Sequence, residues 1–475
     1  MPPPREHTSR TKRSVQLVAG LGSMVAPFLV ASMVVAAPTI GADLGAEVAL
    51  LPWLTAAFFL VAASLLIPFG RVADLKGSKK VFTAGMFVYL ASAAVCALAP
   101  DMGSLIIGRA LTGAGAAMVF GTSIALLGLA FPQHERGKAI GINVTFMFAG
   151  FTLGLVAGGF ITFYLSWRLL FLIAAAVAGA TMVLLRSQVK GECELARSKD
   201  LDPGGMALYC VSLLLLFYGI SEITRPLGPY ALIAGVASLV ALVAWERRQP
   251  HPIIGRSVSR NHVFILAVAT NILFQAGAFA VPFLLSLHYQ FITGLDARTA
   301  GIALLVPQVL MTIMGTVSGR LTARTGNRAI TALGAVINVA GLVVLLTLNE
   351  GTSLETTLAA LALIGTGTGL FAPAVVNWAL EAIAREDYGV ASAVTETARL
   401  TGMTLSNVIV ILLFTFLLGG SAVGPGSEAD FLAAVRACSL AFIALTLLSM
   451  VPGVLKRKGW PEAGRGEKVS TRRLP

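Results

Sequence analysis

Long apolar runs follow one another along almost the whole chain, and this succession limits the possible folds more than any other feature. A helix needs about 20 mostly apolar residues to cross the hydrocarbon core of a bilayer. Backbone polar groups cannot stay unpaired in lipid, so each of about fourteen such runs is predicted to be a spanning helix. The runs lie near 15–38, 50–69, 81–99, 103–130, 139–163, 167–186, 204–222, 229–245, 263–288, 298–318, 329–348, 356–383, 390–418 and 431–454.

The scarcity of charge supports the same interpretation. Only 12% of the residues are charged, against roughly 25% in soluble domains, so most of the surface must face lipid. The net charge of +12 does not indicate nucleic-acid binding, because no basic face with interleaved aromatic residues is present. The fold class predicted is therefore an all-α polytopic membrane protein with the lipid bilayer, and no nucleic acid, as its partner.

Basic residues collect in every second connection between the runs. Most of the 35 Lys and Arg residues lie in the two tails and in the loops after even-numbered spans. Cytoplasmic loops carry this excess. An even number of spans with both termini in the cytoplasm is therefore predicted, in a multi-pass protein of the cell (plasma) membrane.

Short segments recur about 250 residues apart, which indicates two similar halves. Gly70–Gly77 recurs as Gly319–Gly326, and Leu111–Gly115 matches Leu363–Gly367. Parallel repeats with a substrate site between them are typical of rocking transporters. The predicted domains are a cytoplasmic N-tail (1–14), a six-helix bundle (15–190), a linker with two extra transmembrane helices (191–259), a second six-helix bundle (260–455) and a basic cytoplasmic C-tail (456–475).

The loop between spans two and three identifies a family. Its sequence from Gly70 to Lys80 resembles the signature loop of the major facilitator superfamily, whose acidic residue, here Asp74, can bind a neighbouring helix N-terminus in one conformation only. The second copy has Ala323 at that place. A charged loop that only sets topology is the alternative. The residues assigned to this gate-loop motif are Gly70, Arg71, Asp74, Gly77, Lys79, Gly319, Arg320 and Gly326.

Arg109 lies within span four, where an arginine is costly and marks function by default. Its segment resembles the fourth-helix motif of the family, which implies a role in proton coupling. A side chain that snorkels or pairs near the inner cavity wall is the alternative.

Span five carries glycines at a spacing of four, which puts Gly150, Gly154 and Gly158 on one helix face. Together with Gly159 they resemble the antiport motif of the family, although Leu155 stands where that motif has proline. Close helix packing without antiport is the alternative.

The span count, the two linker helices and the segments 166–171 and 389–407 resemble the fourteen-span drug:proton antiporter branch. That branch often has an acid in the first span, whereas 29–38 has neither acid nor amide. Glu396 and Arg399 share a face of span thirteen and are the further candidates for proton coupling. An internal ion pair without that role is the alternative.

Polar side chains deep in other spans are candidates for the substrate cavity. Asn271 and Gln275 are four residues apart in span nine, where they would line the cavity or bond to another helix. Asn377 and Glu381 have the same spacing near the cytoplasmic end of span twelve.

The resemblance implies a monomeric secondary transporter that exports hydrophobic or amphipathic small molecules in exchange for protons. An uptake or metabolite permease, either a symporter or a uniporter, remains open. An enzyme is not expected, because the five histidines lie in tails, loops or helix ends without metal-ligand spacing. Neither a metal nor a cofactor is expected, and no phosphate-binding loop indicates ATP as the energy source.

Overall fold

Helices form nearly all of the structure. The computed structural model describes residues 9–131, 133–188, 202–249, 258, 260–384, 388–418 and 428–454. Within these ranges there is no strand, and fourteen helices are long and apolar enough to cross a membrane. The predicted fold class and the predicted number of spans are thereby confirmed.

Six long helices make up the first half of the chain, and a short 3₁₀ turn (Val48–Leu50) precedes the second of them. Proline lies inside α1 and α2 without ending either helix. The helices are α1 (Ser9–Leu44), α2 (Trp53–Lys76), α3 (Ser78–Ala97), α4 (Met102–Ala130), α5 (Gln133–Tyr164) and α6 (Arg168–Gln188).

Two linker helices and a second set of spans follow. Spans nine and ten are each divided into shorter helices. The elements are α7 (Pro203–Ser221), α8 (Gly228–Arg248), α9 (His262–Ala278), α10 (Val281–Leu287), a π-helical turn (His288–Ile292), α11 (Ala297–Ala303), α12 (Leu305–Thr325), α13 (Asn327–Leu345), α14 (Leu354–Glu381), α15 (Tyr388–Leu418) and α16 (Glu428–Val454).

Equivalent helices pair in the same way in the two halves. In the first half α1 packs on α5, α2 on α4, and α3 on α4 and α6. In the second half α9 packs on α15, α12 on α14, and α13 on α14 and α16. The linker helix α7 packs on α8 and also on α2 and α15, so it lies along the seam between the halves.

Span nine differs from the continuous helix predicted near 263–288. The helix is interrupted between α9 and α10, where Pro282 has no N–H to donate. The free amide of Ala280 is satisfied by Ser406 Oγ of α15 at 3.0 Å. A side chain from another helix therefore makes the break tolerable inside the membrane.

The two copies of the repeated loop have the same backbone form. Gly77 between α2 and α3 has φ 94°, and Gly326 between α12 and α13 has φ 85°. Residues that carry a Cβ atom rarely adopt such positive φ angles, whereas glycine adopts them readily. Glycine is thus required at equivalent turns of both halves.

Candidate functional site

The two halves meet at their outer ends, where "outer" means the side that the loop charges assign to the outside. Arg298 of α11 donates to the Tyr164 hydroxyl of α5 at 2.9 Å. Gln290 donates to the carbonyl of Val35 at 3.0 Å. At Gly159 of α5, a Cβ would stand 2.8 Å from a carbonyl oxygen of α11. These contacts close the outer side of the protein.

Arg109 is completely buried in α4, with no accessible surface. Its Nε donates to the Leu54 carbonyl of α2 at 2.8 Å, and its guanidinium lies 4.9 Å from the centre of the Phe58 ring. Its Nη2 has no hydrogen-bond partner among the described residues. The arginine thus ties α4 to α2 and keeps one unused donor in a dry setting.

Glu396 and Arg399 form an ion pair on α15. Nε of Arg399 donates to one carboxylate oxygen of Glu396 at 2.9 Å, and Nη2 donates to the other. The Glu396 side chain is 33% exposed and that of Arg399 is 27% exposed. Charged groups within a span face the interior or an aqueous cavity rather than lipid. We therefore expect this partly exposed pair to face the protein interior or water and not lipid.

The glycines of α5 press against two other helices. At Gly150 and Gly154, a Cβ would meet carbonyl oxygens of α1 at 2.3 and 2.2 Å. At Gly158 it would lie 2.8 Å from the Ser32 Cα. Gly159 faces α11 instead, as described above. The glycine stripe consequently joins α5 to its own half and to the other half at once.

The gate-loop motif is placed at the inner ends of α2 and α12. Asp74 lies within α2, and its side chain is outside the described part of the structure. Gly319 and Arg320 of the second copy are exposed. The remaining motif residues are Gly70, Arg71 and Lys79, which are partly exposed, and the two turn glycines Gly77 and Gly326.

The candidate cavity residues separate into two groups. Asn271 is buried and donates to the Thr395 carbonyl of α15 at 3.2 Å. Gln275 is also buried, and its Cβ lies close to Gly402 of the same helix α15. Asn377 and Glu381 are exposed at the inner end of α14. The structure does not bring these four residues into one cluster.

Sequence reasoning did not single out the residues that join α2 to α15. Thr55 Oγ1 donates to Asn407 Oδ1 at 2.7 Å, and the Pro52 carbonyl is a second, more distant acceptor at 3.1 Å. Both Thr55 and Asn407 are 1% exposed. The signal available was a polar residue in each of two apolar runs, but similar residues occur elsewhere in the chain. Only the packing shows that these two are partners.

A cavity of about 220 Å³ opens beyond this contact, at the outer mouth of the seam. Glu222, which is 9% exposed, pairs there with Arg225 at 2.8 Å. Burial raises the pKa of the Glu222 carboxyl, and Arg225 opposes this shift only in part. The other lining residues are Glu47, Ala49, Leu50, Trp53, Ile411 and Thr415.

Together, two equivalently packed helical halves, fourteen apolar helices and a closed outer seam define a multi-pass membrane protein with the architecture of a transporter. The family model described as Major Facilitator Superfamily matches residues 19–407. The chain belongs to this superfamily.

Proteins similar to this chain include two that are named as resistance proteins. Puromycin resistance protein pur8 of Streptomyces alboniger is 31% identical over 398 residues, which cover 82% of this chain and 78% of that protein. Multidrug resistance protein Stp of Mycobacterium tuberculosis (strain ATCC 25618 / H37Rv) is 27% identical over 414 residues, which cover 85% and 76%. A solved structure of the peptide transporter POT in complex with sulfate shares the fold, with a TM-score of 0.69, 14% identity and coverage of 94% and 96%.

Proposed function

We propose that this protein is a proton-coupled exporter of hydrophobic or amphipathic drugs, which acts by alternating access as a monomer in the plasma membrane. The names of its relatives refer to resistance against puromycin and against multiple drugs. Their similarity extends over most of both chains. Export is thus the direction that the comparisons favour.

The proposal that transport is coupled to protons rests mainly on the ion pair between Glu396 and Arg399. Glu396 is a carboxylate on a spanning helix, and its side chain is 33% exposed. Protonation would remove its charge and leave the Arg399 guanidinium without a counter-ion in a low dielectric. The two protonation states of Glu396 therefore favour different arrangements around α15.

Arg109 supplies a second fixed charge. Its burial with an unused donor means that a substrate or carboxylate that reached Nη2 would gain a charge-assisted hydrogen bond. Its bond to Leu54 transmits any displacement of α4 to α2. This arrangement suits a residue that changes partners during the transport cycle.

A permease for uptake is the second candidate, and one observation favours it. The stretch 29–38 of α1 is almost entirely buried and offers no carboxylate or amide. Ser32 is the polar residue near the middle of this stretch. Its hydroxyl oxygen lies within hydrogen-bond distance of the carbonyl oxygens of Phe28 and Gly154, at 2.8 and 3.0 Å. A proton site in the first span, as in many drug antiporters of this branch, is thus absent from these residues.

The test is proton movement driven by substrate in liposomes. Purified protein is reconstituted with a pH-sensitive dye inside, a pH gradient is imposed, and ethidium, a quaternary ammonium compound or a neutral antibiotic is added. Each transported compound is expected to speed the collapse of the gradient. Arg109→Ala and Glu396→Gln are expected to reduce this rate to that of protein-free liposomes.

Glu355→Gln is the matched control, because Glu355 is an exposed acid in the first turn of α14. It should retain the full response. Transport of a compound without any proton movement would overturn the coupling and leave a uniporter. Full proton flux in Glu396→Gln would remove Glu396 from the mechanism while leaving antiport intact.

A further inference from the structure

A buried hydrogen bond links the two halves directly, between the Thr55 hydroxyl of α2 and the Asn407 amide oxygen of α15. Asn407 also donates from Nδ2 to the Met403 carbonyl of its own helix at 2.9 Å. The amide is thereby oriented with its oxygen toward α2. The contact is a fixed feature of the seam and not a loose surface pair.

Apolar side chains enclose this bond along the seam. Trp53, Ala56, Ala57 and Ile411 form one buried cluster beside it. Leu60, Val408 and Phe217 of the linker helix α7 form another. A hydrogen bond between two apolar clusters favours one alignment of α2 against α15. If one helix slid along the other, the Asn407 oxygen would be left buried without a partner.

Each partner of the bond is also next to a charged group of the proposed coupling mechanism. Leu54, which accepts from Arg109, directly precedes Thr55. On α15, Met403 accepts from Asn407 through its carbonyl, and its sulfur lies 3.6 Å from Nη1 of Arg399. The Thr55–Asn407 bond thus lies between the buried arginine of the first half and the ion pair of the second half.

We propose that Thr55 and Asn407 are positioning residues that lock the outer gate and join the Arg109 region to the Glu396–Arg399 pair. In an outward-open state the halves separate at their outer ends, and this bond must then break. Water replaces both partners in the open state, so the bond stabilises the closed state selectively. The link to coupling rests on the proposed function, whereas the lock itself does not.

The lock is tested by hydrogen–deuterium exchange on the full-length protein in nanodiscs, without substrate. Thr55→Val and Asn407→Ala are each expected to raise amide exchange in the segments 48–63 and 403–415 by about tenfold, the effect of losing one buried hydrogen bond. The double variant should exchange less than the sum of the two single effects predicts, because both variants remove the same bond. Thr55→Ser keeps the hydroxyl and should restore the wild-type rate.

Two controls remove buried polar groups that do not cross the seam. Thr404→Val deletes a hydroxyl whose bond, among the residues that the structure describes, is to the Leu400 carbonyl of the same helix α15. Asn338→Ala deletes an amide that faces Thr368 within the second half. Neither should change exchange in the two segments.

Unchanged exchange in monodisperse Thr55→Val and Asn407→Ala protein would overturn the lock. Fully additive effects would also overturn it, since the residues would then act independently.

The link to coupling is measured with the dye-loaded liposomes: Thr55→Val should lower the number of protons moved per substrate, and Thr55→Ser should not. Increased exchange with an unaltered proton ratio would retain the lock and reject the link. Increased exchange with no proton flux even in the wild type would reject the proposed function alone.

Discussion

At the scale of single residues, partners decide what a polar group in the membrane can do. Arg109, Asn271 and Asn407 all stand in apolar runs, but they hold different positions in the structure. Arg109 retains an unused donor, Asn271 binds a helix within its own half, and Asn407 binds the other half. Their residue types alone do not separate these roles.

His288 shows the same limit of sequence reasoning. The sequence places it at a helix end, whereas the structure puts it in a π-helical turn with no accessible surface. Neither ring nitrogen has a hydrogen-bond partner among the described residues.

Glu222 gives a prediction about pH at this scale. The pKa of its carboxyl is raised in the folded protein, so the native state binds the proton more tightly than the unfolded state. The stability of the fold therefore falls as the pH rises from the ordinary pKa of glutamate to this raised pKa. Glu222→Gln is expected to raise the unfolding temperature in detergent at pH 7.5. Below about pH 4.3, the ordinary pKa of glutamate, wild type and variant should unfold at the same temperature.

Glu47→Gln is the comparison for this prediction, because Glu47 lines the same cavity but is exposed. It should unfold like the wild type at both pH values. A lower unfolding temperature for Glu222→Gln at pH 7.5 would mean that the Arg225 ion pair outweighs the cost of burial.

At the scale of elements, the glycine stripe of α5 fixes how closely α1 can approach. A Cβ at Gly154 would stand 2.2 Å from the Phe28 carbonyl oxygen, and backbone cannot move aside as a flexible side chain can. The proline missing at Leu155 does not alter this approach. Close packing in α5 is therefore present whether or not the helix serves antiport.

Gly154→Ala is expected to destabilise the protein by about 1–3 kcal/mol, the usual cost of overpacking. The measurement is thermal or denaturant unfolding of the purified protein in detergent. Gly141→Ala in the same helix is the control, since nothing lies within 4 Å of its added Cβ. Equal stability of the two variants would contradict the tight α1–α5 contact.

At the scale of the whole molecule, the outer seam is built from contacts distributed along it. Arg298 with Tyr164, Gln290 with Val35, and the Thr55–Asn407 bond each join the first half to the second. Opening of the outer side must release such contacts together, which suits a two-state rocking motion.

Gly301→Leu tests whether this seam must close for transport. Gly301 of α11 faces α5, and a Cβ there would lie 2.8 Å from the Leu155 carbonyl oxygen. A leucine is expected to hold the outer ends apart, abolish transport and raise deuterium exchange in 155–164. Gly315→Leu is the control, because its nearest neighbour stands 3.9 Å away; transport by Gly301→Leu at the wild-type rate would contradict the prediction.

The sequence by itself determined the helical fold and the fourteen spans, because apolar length and backbone pairing are local properties of each run. The signature loop resembling that of the superfamily was also readable, since Gly70–Lys80 is one short segment. The domain limits and the roles of the site residues stay predictions.

Only the tertiary structure decided which helices meet and which groups face each other. The bond of Ala280 to Ser406, the approach of Gly154 to α1 and the Thr55–Asn407 contact join residues more than 100 positions apart. Such contacts depend on how helices are rotated and stacked. Hydrophobicity fixes this orientation poorly in lipid, where every face of a spanning helix is apolar and close packing selects the partner.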